Sequence, residues 1–150
     1  MTYREVKSDL FEYHDKGYCL AHCISADFKL GAGIAKEFEK RYKLRSDLLD
    51  WLGGEWYSNI YMKGYGYAIF HYRHNVIDLV TKERYWHKPT LQSLRIAVER
   101  MRELCNYYSI SKIAMPKIGC GLDKLNWEEV KSIIKDVFKD TNIDIVICYL

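Results

Sequence analysis

The sequence has little of what marks disordered or linker-rich chains. Only two of its 150 residues are proline, and no repeat or low-complexity stretch interrupts it. Hydrophobic residues make up 49% of the chain, which is typical of a packed globule and excludes an intrinsically disordered protein. Because 150 residues is a common size for one domain, we expect a single domain over residues 1–150.

Long apolar runs and a strong excess of one charge are also missing. No uncharged segment reaches the roughly 20 residues that span a bilayer, and the first residues carry no apolar signal-peptide core. These absences predict a cytoplasmic protein without membrane contact. The net charge is only +3, which disfavours a dedicated nucleic-acid-binding arm but allows an anionic small ligand.

Cysteine occurs in an odd number, five, which together with the missing export signal predicts reduced thiols. Cys19, His22 and Cys23 have the residue types of a zinc site. On a strand, however, the two cysteines would face one side and the histidine the other. No matching Cys/His pair follows at ligand spacing. We therefore predict neither a metal nor a cofactor.

Apolar periodicity alternates between strand-like and helix-like segments. Short runs rich in apolar and β-branched residues predict strands at 18–24, within 57–81 (two or three, the last at 76–81), at 112–116 and at 143–149. Helical spacing predicts helices at 31–42, at 46–52, from 91 onward with Thr90 as N-cap, and at 126–139. Strands that alternate with helices in this way predict an α/β sandwich with a mostly parallel central sheet.

Two glycine loops follow predicted strands and precede predicted helices. The first is Gly31-Ala32-Gly33-Ile34-Ala35, and the second contains Gly119-Cys120-Gly121. Small residues let the backbone approach a ligand closely, and amides at a helix N-terminus favour phosphate. Each loop alone is equally compatible with a tight turn, and neither matches the dinucleotide-fold or P-loop fingerprint. Together, at the carboxyl ends of one sheet, they predict a clamp for a diphosphate.

Three side chains close to these loops carry reactive groups. Cys120 offers either a nucleophilic thiolate or a small residue that fits between glycines, and we favour the second interpretation. Lys82 directly follows an apolar strand, and Asp123 ends the second loop. An amine and a carboxylate that converge on a sugar would supply a nucleophile and a proton-transfer partner, although each position alone also fits a surface charge.

Several segments occur in the order and spacing of a known family. They are Ser8-Asp9-Leu10-Phe11, Ala21-His22-Cys23-Ile24-Ser25, the first glycine loop, Leu79-Val80-Thr81-Lys82-Glu83-Arg84 with His87-Lys88-Pro89-Thr90, and Met115-Pro116-Lys117-Ile118-Gly119-Cys120-Gly121-Leu122-Asp123. They closely resemble macrodomains of the terminal ADP-ribose protein glycohydrolase type, and they are also similar to bacterial antitoxin macrodomains that act on DNA. The resemblance runs over nearly the whole chain. It implies a three-layer α/β/α macrodomain with a mixed, mostly parallel central sheet and a surface cleft for ADP-ribose.

The same resemblance implies roles for individual residues. Lys82 would be the catalytic lysine and Asp123 its acid/base partner, while Asp9 and Leu10 would border the adenine. The residues expected to hold the diphosphate and the distal ribose are Gly31, Ala32, Gly33, Ile34, Ala35, Ile118, Gly119, Cys120, Gly121 and Leu122. Ser25 and Leu150 would provide further contacts.

The implied activity is removal of ADP-ribose from modified acidic side chains or from a modified nucleobase. Attack by the Lys82 amine on the anomeric carbon would release the modified group, and Asp123 would move protons so that water can release the sugar. An ADP-ribose 1″-phosphate phosphatase and a non-catalytic ADP-ribose reader are the alternatives. The expected partners are ADP-ribose and an ADP-ribosylated protein or nucleic acid, and we expect a monomer because no unclaimed apolar stripe is visible.

Two features depart from the family pattern. The stretch 52–72 has no matching motif, and Tyr85-Trp86 stands where the resemblance implies small residues. We expect these bulky groups to reshape the substrate mouth, which bears on the identity of the leaving group.

Overall fold

The computed structural model describes residues 1–51 and 64–150, and within them six strands form one sheet. The strands are β1 (Thr2–Lys7), β2 (Cys19–Ser25), β3 (Tyr67–His71), β4 (Val76–Lys82), β5 (Lys112–Met115) and β6 (Asp144–Tyr149). Their order across the sheet is β1-β6-β5-β2-β4-β3. Only the pairing of β3 with β4 is antiparallel, so the predicted mixed, mostly parallel sheet is confirmed.

Helices cover both faces of this sheet. In the described ranges they are α1 (Leu10–Asp15), α2 (Gly33–Tyr42), α3 (Leu44–Trp51), α4 (Leu91–Tyr108) and α5 (Trp127–Phe138). The sheet separates two apolar layers, as the alternating residues of β2 show. Cys19 and Ala21 pack with α4 and α5, and Leu20 and Ile24 pack with α1 and α2 on the other face. The result is the expected three-layer α/β/α arrangement. None of the helices in these ranges is both long enough and apolar enough to cross a bilayer.

Two helices begin where capping residues in the sequence predict a helix start. Thr90 is the N-cap of α4: its hydroxyl accepts from the Ser93 amide, and the Ser93 hydroxyl accepts from the Thr90 amide, both at 3.0 Å. This capping box fixes the start of the helix that covers the sheet beside β3 and β4. Asn126 is the N-cap of α5, where its side-chain oxygen accepts from the Glu129 amide at 3.1 Å.

The N-terminal elements were not predicted. Strand β1 lies at the sheet edge and alternates between exposed and half-buried residues, so it lacks the apolar run used to recognise the other strands. Helix α1 has only six residues, which is too short for a helical periodicity to show. Smaller differences concern boundaries, since α2 begins at Gly33 and α3 at Leu44. The part of the strand prediction at 57–63 lies outside the described residues.

Candidate active site

The parallel strands bring the predicted site residues to one edge of the sheet. Because β1, β6, β5, β2 and β4 are parallel, their carboxyl ends share that edge. The residues at or just beyond these ends are Asp9, Leu10, Ser25, Lys82, Leu150 and the two loops at 31–35 and 118–123. Four strand spacings, about 19 Å, separate β1 from β4, so this edge suits an elongated ligand.

Lys82 and Asp123 form an ion pair at this edge. The Lys82 Nζ donates to Asp123 Oδ1 at 2.6 Å, and each side chain is only 14% exposed. Lys82 is fixed as the last residue of β4, and its carbonyl oxygen accepts from the Ala26 amide at 2.9 Å. Two groups that are distant in sequence therefore lie at one point, where an amine and a carboxylate can exchange a proton.

The first glycine loop leads into α2, and the N-terminus of α2 is open to solvent. Gly33 is the first residue of α2 and has φ of +58°, in the left-handed region that favours glycine. The N-cap Ala32 has no side chain that can satisfy the first amides, and the first turn carries no acidic residue. The positive end of the helix dipole is therefore available to an anionic ligand.

Residues 25–30 hold the first loop in a fixed shape. Phe28 and Leu30 both have positive φ, 56° and 47°, and both side chains are buried, which offsets the strain of that conformation. The Asp27 carboxylate accepts from the Ser25 hydroxyl at 2.6 Å and from the Lys29 amide at 3.3 Å. Asp27 was missed in the sequence, where its only signal was an acidic residue between a strand and a glycine loop.

The second glycine loop is anchored on one side and exposed on the other. Ile118 is 2% exposed and packs into the apolar layer beneath α4 and α5, so its side chain holds the loop to the core. Gly121 and Leu122, in contrast, are exposed. Helix α5 begins at Trp127, and the Asn126 side chain caps its N-terminus. An anion at the second loop would therefore contact the loop amides and not the N-terminus of α5.

The two loops and the segment after β4 touch one another. A Cβ on Gly33 would lie 3.2 Å from Leu122 Cδ1, so the loops are in van der Waals contact. The Lys88 Nζ donates to the Leu122 carbonyl oxygen at 2.6 Å. These contacts join the loops and the Lys82–Asp123 pair into one site.

Comparison with known proteins decides the family of this site. A model of the Macro domain family matches residues 62–134. The ADP-ribose glycohydrolase OARD1 of Homo sapiens is 40% identical over 144 residues, which cover 95% of this chain and 88% of that protein, and the Bos taurus protein of the same name gives the same values. This chain belongs to the macrodomain family. The family resemblance in the sequence is thereby confirmed.

Solved structures agree with the macrodomain fold. The macrodomain of Mycobacterium tuberculosis DarG superimposes with a TM-score of 0.82 at 18% identity, covering 99% of this chain and 98% of that one. Thermosipho africanus DarTG in complex with ADP-ribose gives a TM-score of 0.80 at 14% identity, covering 99% of this chain and 41% of that one. At such low identity the likeness concerns the fold alone.

The macrodomain thiols show no sign of activation. Burial and the nearby Asp123 carboxylate raise the pKa of Cys23 to about 12, although Thr81 and Lys82 act in the opposite direction. Burial also raises the pKa of Cys120, against a smaller opposite effect of Lys117. Both thiols therefore stay protonated at neutral pH, which supports the interpretation of Cys120 as a small residue between glycines. All five cysteines are unpaired.

A buried His–Asp–His network, which was not predicted from the sequence, links elements of the core that end at the macrodomain site. Asp78 accepts from His22 at 2.6 Å and from His71 at 2.5 Å, and His22 and Asp78 are fully buried. The His22 ring stacks on Phe38 with centroids 3.8 Å apart. The network therefore connects α2, which starts at the first glycine loop, with β4, which ends at Lys82. Through Phe38, His22 faces the apolar layer of α1 and α2, whereas Cys19 and Cys23 face the layer of α4 and α5, so the three side chains are not on one side of the sheet.

The residues expected near the adenine lie at the far end of the site. The Asp9 carboxylate caps α1 by accepting from the Phe11 amide at 3.0 Å. Leu10 is buried, whereas Leu150 is 93% exposed. The Ser8 amide donates to the Tyr149 carbonyl oxygen at 3.0 Å and holds these two chain segments together. Their contact with a ligand stays a prediction.

Proposed function

We propose that this macrodomain hydrolyses ADP-ribosyl conjugates, with Lys82 and Asp123 as the catalytic pair. The observation that carries the proposal is the 2.6 Å contact between Lys82 Nζ and Asp123 Oδ1 beside two touching glycine loops. Two relatives that share 40% identity with the chain are named ADP-ribose glycohydrolases, which supports the activity. A neighbour of the same fold was solved in complex with ADP-ribose, which supports the ligand.

The ligand would lie along the sheet edge from β1 to β4. The adenine would rest near Asp9 and Leu10, and the diphosphate would meet the uncapped start of α2 at Gly33. The exposed backbone at Gly121 would approach the same diphosphate from the other side. This arrangement leaves the distal ribose at the Lys82–Asp123 pair.

The chemistry would proceed in two steps. Asp123 takes a proton from the Lys82 ammonium, and the neutral amine attacks the anomeric carbon of the distal ribose. A carbon–nitrogen bond forms while the bond to the leaving group breaks, and the leaving group departs with the electron pair and takes up the proton held by Asp123. Asp123 then accepts a proton from water, which attacks the same carbon and displaces the lysine amine, and the amine regains that proton.

An ADP-ribose reader would have no use for this pair. Each partner is only 14% exposed, so both groups give up much of their hydration to face each other. A binding site needs the loops and the helix N-terminus but gains nothing from a lysine that faces the distal ribose. The pair therefore favours catalysis over recognition alone.

Release of ADP-ribose tests the proposal. Wild type, Lys82→Ala and the surface control Lys139→Ala, whose side chain is 70% exposed, would be compared on a glutamate-modified peptide and a base-modified oligonucleotide. We expect Lys82→Ala to lose release from whichever substrate wild type cleaves, with ADP-ribose affinity retained by calorimetry and Lys139→Ala unchanged. ADP-ribose binding by wild type without release from either substrate would support a reader. Phosphate release from ADP-ribose 1″-phosphate that survives Lys82→Ala would support the phosphatase.

A further inference from the structure

Strand β4 is irregular immediately before Lys82. Val80 pairs with Ile24 of β2, but the next residue of β2, Ser25, pairs with Lys82, so Thr81 is an extra residue in β4. A β-bulge of this kind bends the strand and re-aims the side chains beside it, and bulges are frequent next to active sites. The bulge therefore lies where the orientation of the proposed nucleophile is decided.

The bulge determines the face of the sheet on which the Lys82 side chain lies. Leu79 packs in the layer of α4 and α5, and regular alternation would place Thr81 on that face and Lys82 on the opposite one. Because Thr81 and Lys82 together oppose a single residue of β2, Lys82 stays on the face of Thr81. The pKa of Cys23, a thiol of the same layer, agrees: burial raises it most, Asp123 raises it further and Lys82 lowers it, so both groups lie near that thiol. The contact between Lys82 and Asp123 therefore depends on the bulge.

Two hydrogen bonds from the turn after β2 hold the backbone that carries Lys82. The Ala26 amide donates to the Lys82 carbonyl oxygen at 2.9 Å, and the Tyr85 amide donates to Asp27 Oδ2 at 2.9 Å. The backbone from Lys82 to Tyr85 is thus fixed at both ends to two successive residues of one turn. The first bond needs only the backbone of residue 26, whereas the second depends on the side chain of Asp27.

The Asp27 carboxylate serves the first glycine loop and the segment after β4 at the same time. Its residue is only 9% exposed. Its Oδ1 accepts from the Ser25 hydroxyl at 2.6 Å and from the Lys29 amide at 3.3 Å, while its Oδ2 accepts from the Tyr85 amide. A buried carboxylate is stable only with such donors. One side chain therefore couples the shape of the loop proposed to bind the diphosphate to the position of the lysine.

We infer that Asp27 is a positioning residue: through the Tyr85 amide it holds the bulge at Thr81, and so it keeps the Lys82 amine against Asp123. The inference rests on the proposed function, which makes Lys82 the nucleophile. The contacts of Asp27 reach Lys82 through the backbone, so their loss should misplace the amine without removing either member of the pair. A displacement of about 1 Å in an attacking group costs about 100-fold in rate.

A pair of variants at Tyr85 isolates the bond between Asp27 and the segment after β4. The His87 amide donates to the Arg84 carbonyl oxygen at 3.0 Å, so Tyr85 is the second residue of a β-turn, a position that favours proline. Tyr85→Pro removes the amide donor in a turn that accepts proline, and Tyr85→Ala removes the same ring but keeps the donor. On whichever conjugate wild type cleaves, the glutamate-modified peptide or the base-modified oligonucleotide, kcat of Tyr85→Pro should be about 10- to 100-fold below that of Tyr85→Ala. The Kd for ADP-ribose should agree between the two variants within about threefold, since both keep the glycine loops.

Two variants of Asp27 test the same bond from the other side. Asp27→Ala removes both acceptor oxygens, so kcat should fall at least as far as in Tyr85→Pro, and ADP-ribose binding should weaken as well because the first loop loses its contacts. Asp27→Asn keeps one oxygen for the Tyr85 amide, and its own amide group can donate to the Ser25 hydroxyl. It should therefore keep kcat within about fivefold of wild type.

The reactivity of Lys82 toward an amine reagent separates this inference from the proposed function. Each free protein would be acetylated to a low extent with acetic anhydride, and peptide mass spectrometry would give the rate at Lys82 relative to Lys139, whose side chain is 70% exposed. In wild type the Lys82 side chain is 14% exposed and paired with Asp123, so its relative rate should be low. The relative rate should rise about threefold or more in Tyr85→Pro and Asp27→Ala but not in Tyr85→Ala. This result supports the positioning role even where wild type cleaves neither conjugate, an outcome that would refute the proposed function alone.

Two results would overturn the positioning role. The first is equal kcat in Tyr85→Pro and Tyr85→Ala. The second is a lower kcat in Tyr85→Pro or Asp27→Ala with unchanged relative labelling of Lys82, because the defect would then lie elsewhere. Should Tyr85→Pro fail to fold, the comparison of Asp27→Ala with Asp27→Asn decides by the same two readouts.

Discussion

Two glycines of the second loop have opposite structural requirements, although they are two residues apart. Gly119 has φ of +72°, and a Cβ there would lie 2.9 Å from Leu125 Cδ1 and 3.7 Å from Leu94 Cδ1. An alanine would incur about 1–2 kcal/mol for the left-handed backbone and about 1 kcal/mol for overpacking, since the Leu125 methyl can turn away. Gly119→Ala should therefore lower the free energy of unfolding by about 2–3 kcal/mol, which for this size lowers Tm by about 4–12 °C.

Gly121 should respond in the opposite way. Its φ is not positive, and a Cβ there would meet no atom within 4 Å, so Gly121→Ala should leave stability unchanged or raise it by up to about 1 kcal/mol. We propose that this exposed backbone approaches the diphosphate, so a methyl group would displace the ligand from a loop amide. A lost hydrogen bond to a charged group costs about 1.5–3 kcal/mol, which weakens ADP-ribose binding about 10- to 150-fold.

Thermal unfolding followed by circular dichroism, and calorimetric titration with ADP-ribose, would measure both effects on the same samples. Each variant serves as a control for the other, because each adds one methyl group to the same loop, two residues apart. Wild-type affinity in Gly121→Ala would refute the close approach of the loop to the ligand. A fall in Tm for Gly121→Ala as large as that for Gly119→Ala would refute the assignment of open space at this position.

Three further predictions concern the scaffold. Asp78→Asn removes the carboxylate that two buried histidines share, so the free energy of unfolding should fall by about 3–5 kcal/mol in chemical denaturation. Burial alone lowers the pKa of His71, but the Asp78 carboxylate outweighs it and raises that pKa above 6.5, while the two histidines outweigh burial and hold the pKa of Asp78 below 3.8. The contribution of protonated His71 to the free energy of unfolding is then complete below pH 6.5 and is lost as pH rises through the raised pKa, whereas the contribution of ionised Asp78 is lost as pH falls through its lowered pKa. The Tm advantage of wild type over His71→Gln should therefore peak between about pH 4 and 6.5. An advantage that grows above pH 7 would contradict this prediction. Thr90→Ala removes one half of the capping box and should cost about 1 kcal/mol, whereas an unchanged Tm would show that the box does not stabilise α4.

The sequence predicted those elements that carry strong local signals. Helix α4 combines a capping threonine with apolar residues at helical spacing, so its start at Leu91 was predicted. Strand β4 is apolar and β-branched apart from Asp78 and Lys82, and it was predicted at 76–81 against the observed Val76–Lys82. Strand β1 was missed because this edge strand carries three charged residues among its six and has no apolar run. Its pairing with β6 joins the two ends of the chain, and no local pattern reports a contact over that separation.

The site was predictable to the extent that it lies in loops after strands. Lys82, Asp123 and both glycine loops were predicted as candidate site residues because they follow apolar strands and match a family pattern, and their roles stay a prediction. The Asp27 contacts and the positive φ of Phe28 and Leu30 were not, since neither residue type signals that conformation. The His22–Asp78–His71 network was also hidden, because it depends on the register of β2 and β3 on β4. The cytoplasmic location and the monomeric state stay predictions.

The central claim is that the Lys82 amine attacks the distal ribose, and a single-turnover experiment tests it most directly. Each protein, wild type or Lys82→Ala, would be mixed in excess over an ADP-ribosylated substrate that wild type cleaves, and the reaction would be quenched at intervals. Each sample would be analysed for the amount of free ADP-ribose and for the intact mass of the protein. The account predicts that wild type passes through a transient adduct of one ADP-ribosyl group, which peptide mapping locates to Lys82, and that Lys82→Ala forms neither adduct nor product. Release by Lys82→Ala at the wild-type rate, or an adduct on another residue, would contradict it.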